Sequence, residues 1–148
     1  MLDGVILTPI RRIPSDAGDV LHGIKASDPG YVKFGEAYFS TIHYGTIKPW
    51  KRHNQMTLNL VVPCGCIRFV LYDDRPESTS YGRVESFILS PEDQDYRRLT
   101  IPPGIWMAFQ GVSQNLNLVL NIADIEHDPK ESDRADIDFI TFDWSLKP

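Results

Sequence analysis

Apolar and polar residues alternate one by one in stretch after stretch of this chain, and proline, glycine and aspartate close each stretch off at short intervals. A period of two is what a strand with one buried face requires, whereas an amphipathic helix would repeat near 3.6 residues. Glu36 to Tyr44 sets Tyr38, Ser40, Ile42 and Tyr44 on one face and Phe39, Thr41 and His43 on the other. Cys66 to Tyr72 directs Ile67, Phe69 and Leu71 inward. Leu116 to Ile122 places its leucines and Ile122 opposite Asn117, Val119 and Asn121, a pattern suited to a barrel strand with a polar lumen. Val5 to Leu7, Thr46 to Trp50, Leu58 to Val62, Val84 to Leu89 and Arg98 to Ile101 bring the strands to about eight. Short strands at even spacing, separated by turns, predict an all-β sandwich or barrel.

The remainder is punctuation. Pro14 to Gly30 reads as an irregular arm, Asp73 to Gly82 as a long charged loop, and Ser90 to Asp93 as a turn. After Asp128-Pro129 the acidic stretch Lys130 to Asp138 is expected to form a short helix, with Phe139 to Trp144 packing back on the body.

The segment from Gly45 to Gly65 organises the rest. It reads as two strands joined across a polar bend, and Pro49, which cannot donate to a sheet ladder, must stand at a strand end, an edge or a bulge. Lys51, Arg52, His53, Asn54 and Gln55 cluster polar groups at what reads as a pocket mouth.

Composition then narrows the field. A chain of 148 residues, 42% hydrophobic and 11% aromatic, suits one domain over residues 1–148 with a substantial core. A net charge of −5 excludes a general nucleic-acid or membrane-surface binder, so an anionic ligand must be met by local cations. The amino terminus lacks the features of a signal peptide, and no apolar run approaches the roughly 20 residues of a bilayer span, which points to a cytoplasmic protein. Cys64 and Cys66 have no second pair, so free thiols in a strand turn are expected.

Four short motifs in order carry a family resemblance. Lys48 to Gln55 with His53, the loop Asp73-x-Arg75 through Ser78 to Tyr81-Gly82, Ile101-Pro-Pro-Gly-Ile-Trp106, and Asp124 followed by Asp128-Pro129 together resemble the RmlC-like cupins, typified by dTDP-4-dehydrorhamnose 3,5-epimerases. That resemblance implies a jelly-roll barrel, a homodimer, and a nucleotide-linked 4-keto sugar in the lumen, with no cofactor.

Removing a proton next to a ketone needs a base, a donor at the keto oxygen and an acid on the opposite face. His53 fits the base by type and position. Lys48, Lys51 and Arg52 suit an enolate or a diphosphate, or are solvated charges on a bend. Arg75 reaches a phosphate or pairs with Asp73 or Asp74. Trp50 and Trp106 stack on a sugar or base, or belong to the core.

The departures are equally specific. The family's catalytic tyrosine falls at Leu120, its second-fingerprint histidine at Met107, and no counterpart is matched for the carboxy-terminal aspartate with which the epimerases orient the base. Tyr38, Tyr44, Asn121 or His127 would have to substitute, or the protein is a cupin that binds a sugar or metabolite without turning it over. The positions at which metal-binding cupins place ligands read Lys51, His53, Thr57 or Leu58, and Met107, so no metal is expected.

Overall fold

The alternating stretches stack as two five-stranded antiparallel sheets in the structure, a computed structural model that describes residues 1–92, 94 and 96–146. In the first sheet the order is β1 (Ile6–Pro9), β9 (Arg97–Ile101), β6 (Leu58–Cys64), β11 (Asn117–Ala123) and β4 (Glu36–Ile42). In the second it is β12 (Ser132–Arg134), β5 (Ile47–His53), β10 (Ile105–Gly111), β7 (Ile67–Asp73) and β8 (Val84–Leu89). The pair β2 (Arg12–Ile13) and β3 (Val20–Leu21) forms a separate ribbon in the arm. This is the jelly roll of the RmlC-like cupins. Asp93, the last residue of the turn expected after β8, lies outside the described residues.

The two strands of the organising segment belong to different sheets, because the chain crosses between layers at Asn54 to Thr57. Pro49 stands at a bulge. Opposite β10, Met107 pairs with Lys51 and Phe109 with Lys48, so β5 holds one residue more than its partner over that interval. A one-residue insertion reverses the facing of everything before it. Lys48 and Lys51 therefore share the lumen face, although three positions apart.

Two expectations need correction. No strand was expected at β10, yet it is a central strand of its sheet. Its residues Ile105, Trp106, Met107 and Ala108 are buried in succession, so the stretch shows no polar alternation to read. The expected helix over Lys130 to Asp138 is instead a 3-10 turn, Pro129–Glu131, capped by Asp128, followed by β12. Pairing with β5 satisfies an edge that would otherwise present open backbone groups.

Two apolar layers result. Leu58, Leu60, Phe69, Leu71, Leu99 and Met107 fill the space between the sheets. Outside the second sheet Trp50, Val70, Trp106 and Ala108 are covered by the returning tail through Ile140, Phe142 and Trp144, as the sequence led us to expect. Cys64 and Cys66 form no disulfide and are half-buried at the β6–β7 turn. Gly65 between them has φ +81°, and a Cβ there would stand 2.2 Å from the Leu116 carbonyl oxygen.

At the far end of the barrel Asp73 is fully buried and holds its loop together. Its carboxylate accepts from the Arg75 backbone, from Arg75 Nε and Nη2, and from Ser78 and Ser80. Burial pushes its carboxyl up, but the Arg75 and serine donors outweigh this and hold it far below the usual range. A carboxylate depressed in the folded state stabilises fully above its unfolded value, near 4, and loses that contribution as pH falls. Asp73→Asn is expected to destabilise by about 3 kcal/mol at neutral pH, because donors stay buried without their charge. In urea titrations the gap between the two proteins should narrow below about pH 4; a gap independent of pH would contradict this assignment.

Candidate active site

The lumen opens between the sheets as a cavity of about 580 Å³. Its floor is apolar, with Leu58, Leu60, Phe69, Met107 and Val119, while Tyr38, Ser40, Lys48, Lys51, His53, Asn121, Arg134 and Asp136 supply its polar groups. A pocket with an apolar wall and a few convergent polar side chains is the usual form of a small-molecule site.

His53 ends β5 with 6% exposure and hydrogen-bonds through Nδ1 to Glu131 Oε1. The other carboxylate oxygen of Glu131 accepts the backbone N–H groups of Asn54, Gln55 and Met56 at 3.1, 3.0 and 3.2 Å. Local folding explains the placement. The Pro129 turn delivers Glu131 to the start of β12, whose Ser132 pairs with His53 itself, so the carboxylate meets the crossing segment as the chain leaves β5.

Burial, opposed by the Glu131 hydrogen bond and aided by the Lys51 charge, leaves the imidazole below its ordinary pKa. Burial also pushes the Glu131 carboxyl up, but the His53 bond and the backbone donors more than reverse it. A neutral imidazole beside an ionised carboxylate donates from Nδ1 and keeps the Nε2 lone pair. The dyad therefore offers a base. The expectation that the orienting carboxylate was missing is corrected: Glu131 supplies it. Its signal in the sequence was one acidic residue among several in the tail, and only the β5–β12 pairing distinguishes it.

Lys51 shares the lumen face with His53, two residues away, or about 7 Å along the strand. Its ammonium makes no hydrogen bond or ion pair among the described residues. Burial and the neighbouring Arg134 charge hold its ammonium below the ordinary value, against the pull of Glu131 and Glu36. Lys48 donates to Ser40 Oγ at 2.7 Å, spanning the mouth from one sheet to the other. Asn121 lines the opposite wall, and Arg134, not anticipated from the sequence, comes in on β12.

Three candidates lie elsewhere. Arg52 points to the outer face of β5, where it pairs with Asp74 and Asp133 and stacks over Trp106 at 4.6 Å. Trp106 donates to Asp74 and packs on Phe139, outside the cavity. Strand alternation explains both: with Lys51 and His53 inward, Arg52 must face out, and Trp106 is its cross-strand partner. Arg75 is consumed by Asp73 and the Asp3 carbonyl. Trp50 touches the cavity lining, but its indole is 1% exposed, donates to the Ile137 carbonyl and meets Trp144 edge-on. It is primarily part of the outer core. Leu120 also faces away from the lumen, between Phe39 and Val61 on the neighbouring strands.

A dTDP sugar isomerase from Desulfovibrio desulfuricans G20 superposes on this chain with a TM-score of 0.92 and 42% sequence identity, over 97% of this chain and 94% of that one. The chain belongs to the dTDP-4-dehydrorhamnose 3,5-epimerase family. Among curated proteins similar to this chain, the probable low-salt glycan biosynthesis epimerase Agl13 of Haloferax volcanii is 29% identical over 116 residues, 75% of this chain and 73% of that protein. The spore coat polysaccharide biosynthesis protein SpsL of Bacillus subtilis is 22% identical over 151 residues, 99% of each chain. No family model matches the chain.

Among the described residues no three histidine, cysteine, aspartate or glutamate side chains converge as metal ligands, and no helix is long and apolar enough to cross a membrane.

Proposed function

We propose that this protein is an epimerase or isomerase of a nucleotide-linked 4-keto-6-deoxy sugar, and that His53 removes the proton next to the ketone. The observation that carries this reading is the buried His53–Glu131 pair on the wall of the cavity, beside the Lys51 ammonium, which makes no ion pair among the described residues. Burial keeps the imidazole neutral, and Glu131 fixes the tautomer in which Nε2 is the base. As the C–H pair moves into the ring, charge gathers on the keto oxygen. Lys51 then gains more than it does with the neutral ketone, which is the condition for accelerating the step. Lys48 and Arg134 at the mouth suit the diphosphate, and Asn121 suits a sugar hydroxyl. Outside this account the names of the relatives, a dTDP sugar isomerase and a glycan biosynthesis epimerase, support the same substrate class.

The test is a panel in deuterium oxide. A dTDP-4-keto-6-deoxyhexose should incorporate deuterium next to its ketone, while the corresponding 4-hydroxy sugar nucleotide should not, since it has no carbonyl to stabilise a carbanion. Incorporation at the buffer blank across several 4-keto sugar nucleotides would favour a cupin that only binds.

The reading also carries a metal prediction, because Lys51 and Met107 flank the base where metal-binding cupins place ligands. Exchange is expected to survive EDTA unchanged, and elemental analysis to find no stoichiometric transition metal. Loss of exchange on chelation, restored by one divalent ion, would contradict it.

A further inference from the structure

The residue that would return a proton from the face opposite His53 is identifiable, although the family's tyrosine position is Leu120 and turns away from the lumen. Asn121, the next residue on β11, faces inward, and its cross-strand partner on β4 is Tyr38. Both line the cavity, from the sheet opposite to the one that carries His53.

Their hydrogen bonds are directional. The Asn59 backbone N–H points at the Asn121 side chain at 3.3 Å, and since that group can only donate, the atom it meets is Oδ1. The amide nitrogen is thereby turned to Tyr38 Oη, to which it donates at 3.1 Å. An oxygen that accepts from Asn121 must direct its own proton elsewhere, and the side open to it is the cavity. The same amide donor would stabilise the phenolate left after that proton has gone. Asn121 is itself 3% exposed, whereas Tyr38 is 41% exposed, so a phenolate can regain its proton from solvent at the mouth.

Resting on the function proposed above, we propose that Tyr38 is the proton donor of this site, moved one strand over from the family's position and oriented by Asn121. The step balances. His53 Nε2 takes the proton, the C–H electron pair becomes the enolate, and the enolate carbon takes the Tyr38 proton on its other face. Water then reprotonates the phenolate and accepts the imidazolium proton.

Exchange needs only the base, whereas inversion also needs the donor, so one experiment separates the two claims. The parent and Tyr38→Phe are incubated with a dTDP-4-keto-6-deoxyhexose in deuterium oxide, and NMR reads exchange and inversion at the carbon next to the ketone. Tyr38→Phe should keep exchange within about threefold and lose inversion by about tenfold or more. Asn121→Leu, which leaves the phenol and removes its orienting donor, should shift the ratio in the same direction by less, and serves if Tyr38→Phe does not fold. An unchanged ratio in Tyr38→Phe, or a parent that exchanges without inverting, would overturn Tyr38 while leaving His53 in place. Exchange at the blank level in the parent would overturn both.

Discussion

Glu131→Gln should reduce the rate of solvent exchange into a 4-keto sugar nucleotide by about 10²- to 10⁴-fold while the protein remains folded. The carboxylate does two things at once. Oε1 fixes the Nδ1–H tautomer of His53, and Oε2 gathers the N–H groups of Asn54, Gln55 and Met56. A glutamine can still present its amide oxygen to those backbone donors, and its NH₂ then faces the ring. It would donate to Nδ1 and force the proton onto Nε2, removing the lone pair that faces the substrate. The remaining activity should have a distinct pH profile. Burial holds the imidazole below its usual pKa and the Glu131 bond opposes that, so without the carboxylate the acid limb should move to still lower pH even as the plateau falls. Glu131→Ala removes both functions, and loss of the three backbone contacts should add about 2 kcal/mol or more of destabilisation. An exchange rate in Glu131→Gln within a factor of three of the parent would show that the carboxylate merely holds the crossing segment.

Lys51→Met should cost about 10²-fold or more in exchange with little change in the affinity for dTDP. The lysine is half-buried, its ammonium makes no hydrogen bond or ion pair among the described residues, and it stands one strand repeat from the base. An ammonium so placed attracts an enolate oxygen far more than a neutral carbonyl, so its loss should fall on the rate of proton removal. A thioether keeps the length and apolar volume of the stem, which limits structural damage. Isothermal titration with dTDP, beside the exchange rate, separates the two roles. If affinity and exchange fall together by the same factor, Lys51 meets the diphosphate instead.

Much of the architecture could be read from alternation alone, since β4, β7 and β11 each carry a clear two-residue period with their lumen sides facing the core. β10 could not, because a central strand buried on both faces resembles any apolar run. The site divided along a similar line. His53, Lys48, Lys51 and Asn121 were legible from residue type and position near the family motifs, and all four line the cavity. Arg52 and Trp106 were drawn in by proximity in sequence. Strand alternation puts them on the outer face, Arg52 between the inward Lys51 and His53, and Trp106 as its cross-strand partner. Glu131 reaches His53 from 78 residues away through strand pairing, and Tyr38 reaches Asn121 from 83, so neither contact is visible in local sequence.

The central claim is that a buried, neutral His53 removes a proton next to a ketone, and NMR of a dTDP-4-keto-6-deoxyhexose recovered from deuterium oxide tests it most directly. The parent should yield a deuterium label at the carbon next to the ketone. His53→Asn, folded by circular dichroism, should yield no more label than the buffer blank. Label in His53→Asn equal to the parent's would contradict the claim and place the base elsewhere.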